Sequence, residues 1–133
     1  DLKRKELSYA SAGHGHPILW RYDEGPRELE STGPPLGIAD GLAFPLGETI
    51  PFRPGDMMAA TTDGVEEAVN RHGKLFGRDR LKETLGRLAG KGAEEIMMGL
   101  RQALADYTEG VPPRDDLTLV TLVRTAQQVE ENR

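Results

Sequence analysis

The segment DDLTLVTLV, residues 115–123, constrains the fold of this chain more than any other. It is rich in β-branched and apolar residues at successive positions, a composition typical of a central strand that is covered on both faces. Two segments with helical patterns precede it, so the chain must return to a sheet after them. This order predicts an α+β fold in which antiparallel sheet layers are flanked by helices.

Earlier segments supply the other elements of this fold. Strand patterns cover residues 6–12, 16–22 and 48–52, a short third strand follows DEGPREL, and MMAATT at 57–62 suits a buried strand. The glycine- and proline-rich residues 31–41 predict an ordered loop. Short and longer helices are predicted at 64–70 and 78–89, and a third follows Gly92, with Ile96, Met97 and Leu100 in its core-facing stripe.

Composition excludes several functional classes. The chain has 133 residues, enough for one domain, and a net charge of -5 with both signs interspersed, which gives no broad attraction for nucleic acid or anionic lipid. It has no cysteine, so disulfides, thiolate catalysis and cysteine-bound metals are excluded. No apolar run reaches the length of a membrane-spanning helix. We therefore expect no nucleic-acid partner and no membrane insertion by this segment. The composition is compatible with a cytoplasmic location, which is our expectation for this segment, in a parent protein that other domains could anchor to a membrane.

Two aspartate sites border apolar strands. Asp63 and Gly64 directly follow the strand at 57–62, whereas Asp115 and Asp116 directly precede the last strand. If these strands are antiparallel neighbours, the carboxylates converge at one sheet edge, and converging carboxylates usually hold Mg²⁺, Mn²⁺ or Ca²⁺. The alternative is that Asp-Gly is an ordinary turn and Asp-Asp an ordinary loop pair. The spacing alone favours this alternative, because aspartates are abundant in turns.

Two histidines in SAGHGHPIL, residues 11–19, raise the possibility of a zinc site. On an extended strand His14 and His16 would share one face, but such a site needs a further ligand, and the third histidine, His72, lies in a polar segment that predicts a surface turn. The composition favours a packed or hydrogen-bonded His14 over a zinc ligand. A serine hydrolase is disfavoured because no G-x-S-x-G motif is present.

Four segments together carry a resemblance to a known family. YASAGHGHPILW, GPPLGI, FRPGDMMAATTDGVEEAVNRHGKLFGRDRL and PRDDLTLVTLV occur in the order and approximate spacing of the bacterial metal-dependent serine/threonine phosphatases of the PPM (type-2C-like) class. The chain most resembles the subfamily of the stage II sporulation protein E phosphatase and of the phosphatases that control stress sigma factors. This resemblance implies that residues 1–125 are the C-terminal part of such a domain, a partial αββα sandwich. The composition of residues 126–133 predicts a polar tail.

The resemblance also implies site residues. Asp63 and Asp115 match metal-binding aspartates of the family, whose complete domain holds two Mn²⁺ or Mg²⁺ ions; no side chain is implied as a nucleophile, and none is assigned to the substrate phosphate. Residues implied to support the site are Gly64, Glu67, Asp116, His14 and Asn70. Asp56 is expected to be structural.

One departure from the family pattern affects function. The family takes further metal ligands from the half of the domain that precedes the Ala-Gly-His strand, and the chain has no counterpart of them. We therefore expect a fragment whose partner is the upstream half of the same domain, and expect this chain alone to be inactive or very weak. Uncovered sheet edges and apolar faces are expected as well.

The implied reaction is hydrolysis of a protein phosphoserine or phosphothreonine in bacterial signalling. Its substrate would be a phosphorylated regulatory protein, such as an anti-sigma-factor antagonist. The main alternative is an incomplete or degenerate phosphatase domain that serves as a non-catalytic binding or regulatory module. A zinc-dependent hydrolase that uses His14 and His16 is a second alternative.

Overall fold

A computed structural model of the chain describes residues 1 and 3–125, so the predicted polar tail at 126–133 lies outside the described residues. The described part contains two helices of three turns or more, one short helix and six strands. In chain order they are β1 (Glu6–Leu7), β2 (Ile18–Arg21), β3 (Gly25–Glu28), β4 (Ile50–Pro51), β5 (Met57–Thr61), α1 (Asp63–Glu66), α2 (Gly77–Leu88), α3 (Ala93–Thr108) and β6 (Leu119–Val123).

The main sheet has four strands in the order β3-β2-β5-β6, and each neighbouring pair is antiparallel. In the β5–β6 pair, Met57 lies opposite Val123 and Thr61 lies opposite Leu119. The strand that follows the two long helices therefore pairs with the strand that ends just before Asp63. This confirms the predicted neighbour relation on which convergence of the aspartates depends.

The core lies on both faces of the main sheet. On one face, α2 and α3 pack their apolar stripes against β2, β5 and β6, so leucines spaced at helical intervals are buried together with Met57 and Ile96. On the other face, β1 and β4 form a small antiparallel sheet that covers Leu19 and Leu29 with Ile50 and Phe52. The predicted α+β class, with helices flanking antiparallel sheet layers, is confirmed.

The position of β6 differs from the prediction. In the described part of the chain β6 is an edge strand, and one of its faces is open, with Val120 57% and Leu122 42% exposed. The small β1–β4 sheet covers the β2 side of this face and does not reach β6. The prediction of a strand covered on both faces is therefore wrong for this structure, whereas the predicted uncovered apolar face is present.

The first predicted strand, at 6–12, is also mostly wrong. Only Glu6–Leu7 pair as a strand, because the backbone beyond them bonds to loops: the Tyr9 carbonyl accepts from the Gly47 N–H at 2.8 Å, and the Ser11 N–H donates to the Thr32 hydroxyl at 2.8 Å.

The sequence predicts that Met97 faces the core, but its side chain is about half exposed on α3. None of the described helices combines the length and the apolar character needed to cross a membrane.

Candidate functional site

Thr62 joins the two aspartate-bearing segments. Its N–H donates to the Thr118 carbonyl at 3.1 Å, and its hydroxyl donates to the Asp116 carbonyl at 3.0 Å while accepting from the Thr118 N–H at 3.0 Å. Antiparallel pairing of β5 with β6 thus continues past the end of both strands through one threonine. As a consequence Asp63 and the Asp115–Asp116 pair lie at the same sheet edge.

Gly64 permits this close approach. A methyl group at position 64 would lie 2.5 Å from the Asp116 carbonyl oxygen and 3.3 Å from the Leu117 side chain. The first of these distances is far shorter than real carbon–oxygen contacts, so a side chain at position 64 would push the two segments apart. The glycine of the Asp-Gly pair is therefore needed for space.

Asp63 begins the short helix α1. Its carbonyl accepts from the Glu67 N–H at 2.8 Å, while the buried Val65 anchors the helix in the core. The Asp63 side chain is exposed, and the backbone at Gly15 lies near it, since a Cβ added at Gly15 would be 3.9 Å from the Asp63 Oδ1. The carboxylate is thus directed outward between α1 and the 14–16 segment.

Asp115 and Asp116 are both exposed on the other side of this edge. The Asp116 N–H donates to the Asp115 Oδ1 at 2.7 Å, which fixes the Asp115 carboxylate relative to its own backbone. The Asp116 backbone makes the contact with Thr62 already described. Asp116 therefore connects the Asp115 carboxylate to the end of β5.

These residues suit a hard divalent cation in kind but supply only part of its ligands. Carboxylate oxygens are the protein ligands that Mg²⁺ and Mn²⁺ prefer, and both ions complete their shells with several further oxygens. Among the described residues no group of three or more His, Cys, Asp or Glu side chains is gathered where it could hold a metal. The remaining ligands would be water molecules and groups outside the described residues.

The predicted supporting residues Asn70, Glu67 and His14 differ in their hydrogen bonds. Asn70 accepts from the N–H groups of His72 and Lys74, each at 3.0 Å, and thereby organises the turn that follows α1. Glu67 is exposed and follows α1 directly. His14 is also exposed, three residues after the buried Ser11. Neither His14 nor Glu67 makes a side-chain hydrogen bond within the described part of the chain.

The two histidines of the 11–19 segment do not form a zinc site with a third described ligand. The His16 Nδ1 lies 3.6 Å from the Glu28 Oε2, on the side of the segment that faces β3 and α2. His14 has no such partner among the described residues. The two histidines therefore have different surroundings, since His16 contacts Glu28 and His14 contacts no carboxylate among the described residues. This arrangement does not support the zinc alternative.

A cluster of charged side chains that the sequence analysis missed lies next to the aspartate edge. Arg78 contacts Glu66 at 2.6 Å and Glu28 at 3.3 Å and donates to the His16 carbonyl, and Lys82 also contacts Glu28. The hydrogen bond from Lys82, together with the nearby charge of Arg78, lowers the pKa of Glu28 although partial burial opposes the shift. These contacts join residues 12 to 62 positions apart, and no local spacing in the sequence indicates them.

An apolar cleft of about 550 Å³ opens beside the same edge. It lies between α1, α3 and residues 111–119, and its lining includes Val65, Leu104 and Leu117. Arg101 is its only charged lining residue in the described part of the chain. The aspartate edge therefore adjoins an apolar surface.

Comparison with known proteins places the chain in a family. The profile of the stage II sporulation protein E (SpoIIE) family matches residues 1–125. Protein IcfG of Synechocystis sp. is 35% identical over 93% of this chain, and the phosphoserine phosphatase RsbP of Bacillus subtilis is 33% identical over 49% of it. The solved SiaA-PP2C domain of Pseudomonas aeruginosa is 27% identical over 92% of this chain, with a TM-score of 0.77.

The chain matches only part of each relative. It spans 19% of IcfG, 16% of RsbP and 48% of the solved SiaA-PP2C chain. Its described elements thus correspond to about half of a PP2C-type domain as solved in SiaA. On the match over residues 1–125 and on its fold, the chain belongs to the stage II sporulation protein E family.

Proposed function

We propose that this chain forms part of a metal-dependent protein phosphatase that hydrolyses phosphoserine or phosphothreonine. The observation that carries the proposal is the junction of Asp63 with Asp115 and Asp116 at one sheet edge, held by Thr62 and permitted by Gly64. Two exposed carboxylates, one following β5 and one preceding its neighbour β6, are an arrangement suited to binding a divalent cation. The similarity to RsbP, a phosphoserine phosphatase, supports the reaction type.

In this proposal Asp63 and Asp115 hold Mn²⁺ or Mg²⁺. Metal ions bound at such a site polarise phosphoryl oxygens and lower the pKa of bound water. The protein's part is to orient the carboxylates: Asp116 fixes Asp115 through its N–H, and Gly64 lets the two segments approach. Neither aspartate acts as a nucleophile.

The proposed substrate is a phosphorylated regulatory protein in bacterial signalling, of the anti-sigma-factor antagonist type, acted on in the cytoplasm. The apolar cleft beside the aspartate edge supports a protein as substrate, because exposed apolar surface next to a polar site is typical of protein contacts. A role in regulation is supported by a similar solved structure, that of the RsbU and RsbW domains of Rv1364c from Mycobacterium tuberculosis. Its sequence is 28% identical to this chain, with a TM-score of 0.72.

The test uses the full-length gene product with an aryl phosphate and with a phosphoserine protein, in Mn²⁺ and in chelator. Metal ions contribute several kcal/mol to transition-state stabilisation, so Asp63→Asn and Asp115→Asn should each lower Mn²⁺-dependent turnover by at least about 100-fold. Asp40→Asn, in the exposed 31–41 loop, is the matched control and should retain activity. Full activity in both site variants would contradict the proposal.

The second candidate function is a non-catalytic binding or regulatory module. It applies if no other segment of the protein completes the metal ligands that Asp63 and Asp115 supply only in part. A full-length protein that binds a phosphoserine protein, yet releases no phosphate from it in Mn²⁺, would establish this alternative. Mn²⁺-dependent release would exclude it.

A further inference from the structure

Arg78, near the start of α2, lies at the centre of a charged cluster that we define as Arg78, Glu66, Glu28, Lys82 and the His16 carbonyl. Its side chain is 24% exposed and reaches acceptors on three separate segments. We propose that Arg78 is a positioning residue for Asp63, so that losing its contacts weakens Mn²⁺ binding at the aspartate edge. This proposal rests on the metal-binding role proposed for Asp63.

The first connection runs through α1. The Arg78 Nη1 donates to the Glu66 Oε1 at 2.6 Å, and Glu66 is the last residue of the four-residue helix that Asp63 begins. So short a helix has little stability of its own, and its N-cap, Thr62, makes no side-chain capping hydrogen bond. Its orientation therefore depends on tertiary contacts, and within residues 1 and 3–125 the Glu66–Arg78 pair is the only ion pair that α1 makes.

The second connection runs through the segment on the other side of Asp63. The Arg78 Nη2 donates to the His16 carbonyl, and the preceding residue, Gly15, lies near the Asp63 carboxylate, since a Cβ added at Gly15 would be 3.9 Å from the Asp63 Oδ1. One guanidinium thus binds both segments that border the carboxylate. Moving either segment would change the direction in which the Asp63 oxygens face.

The chemistry of arginine suits this role. The guanidinium is planar and presents five N–H donors in a fixed fork, so it can hold acceptors on several segments in one geometry, whereas lysine is a point charge on a flexible stem. Partners that orient metal-binding side chains typically change metal affinity by about 10–100-fold when they are removed. We expect an effect of that size from Arg78.

The cluster also offers an internal control. Glu28 lies on β3 and contacts Arg78 at 3.3 Å together with Lys82. It reaches the 14–16 segment through the half-exposed His16 side chain, at 3.6 Å, and not through the backbone that borders Asp63. Glu66→Gln and Glu28→Gln each weaken one ion pair of the same arginine, but only Glu66 belongs to the helix that carries Asp63. A purely structural role predicts similar effects of both on Mn²⁺ binding, whereas positioning predicts an effect of Glu66→Gln alone.

The experiment measures Mn²⁺ affinity of the full-length gene product from the electron paramagnetic resonance signal of free Mn²⁺, alongside its melting temperature. Arg78→Met, which keeps the apolar stem, should raise the Mn²⁺ dissociation constant by ~10-fold or more, and Arg78→Lys should recover part of this loss. Glu66→Gln should raise the constant several-fold, and Glu28→Gln should leave it within about twofold. Arg87→Met, which removes an exposed arginine from the same helix, should have no effect.

Several results would overturn the proposal. An unchanged Mn²⁺ dissociation constant in Arg78→Met, while Asp63→Asn abolishes binding, would refute positioning and leave the proposed function intact. Equal losses in Glu66→Gln and Glu28→Gln would also refute it. Unchanged binding in Asp63→Asn would refute both the positioning role and the proposed metal site. If Arg78→Met does not fold, the comparison of Glu66→Gln with Glu28→Gln decides the matter.

Discussion

Replacing Gly64 with alanine is expected to separate the two aspartate-bearing segments. The new methyl group would lie 2.5 Å from the Asp116 carbonyl oxygen, where carbon–oxygen contacts are normally about 3.3 Å or longer. The 116–118 segment would therefore have to retreat by roughly 0.8 Å or more. The hydrogen bond from the Thr62 hydroxyl to that carbonyl, 3.0 Å long, would be lost or greatly weakened.

The expected change in the free energy of unfolding is the sum of two destabilising contributions and one stabilising contribution. Overpacking costs about 1–3 kcal/mol, and loss of the hydrogen bond costs about 0.5–1.5 kcal/mol. Alanine gains up to about 1 kcal/mol over glycine inside a helix, and Gly64 lies in α1. The steric contribution exceeds the helical gain, so we expect the free energy of unfolding to fall by about 2 kcal/mol.

The measurement is urea unfolding of the chain, followed by fluorescence of Trp20, its only tryptophan, which packs against the helix-side core. Gly15→Ala is the matched control, because its methyl group would stand at an ordinary 3.9 Å from the Asp63 carboxylate. A Gly64→Ala protein within about 0.5 kcal/mol of wild type, the usual range for surface substitutions, would refute the steric explanation. Greater stability than wild type would show that helix propensity outweighs the contact.

Three further predictions concern other parts of the chain. Because the pKa of Glu28 is lowered in the folded state, its ion pairs stabilise the fold fully above the unfolded-state pKa, and this contribution is lost as the pH falls through the lower folded-state pKa. Glu28→Gln should therefore reduce the slope of stability against pH in that acidic range, and an unchanged slope in acid titrations of unfolding would contradict the assignment. Asp56 is 2% exposed and accepts from the Arg53 N–H at 2.7 Å, so Asp56→Ala should destabilise the chain by about 1–3 kcal/mol in urea unfolding, whereas Asp40→Ala should be nearly neutral. The 133-residue chain alone should show little or no Mn²⁺-dependent release of phosphate from an aryl phosphate, and clear turnover would show that its own residues complete the site.

The sequence by itself determined the types and order of the elements. Leucines at helical spacing predicted α2 and α3, and apolar runs predicted β5 and β6, because these periodicities reflect which faces are buried. It also predicted that Asp63 and Asp115 would meet if those two strands were antiparallel neighbours. The sequence does not show which strands pair. The observed register shows that β5 and β6 are antiparallel neighbours.

Only the tertiary structure decided the position of β6 and the surroundings of the aspartates. The composition of β6 does not distinguish a central strand from an edge strand, because it records how apolar the residues are and not what covers them. The need for glycine at position 64 arises from a backbone 52 residues further along the chain. The contacts of Arg78 with Glu66, Glu28 and the His16 carbonyl likewise join distant segments. Local sequence patterns indicate which residues are buried and whether a segment is helical or extended. Contacts between residues far apart in the sequence form only when the sheet and the helices pack together.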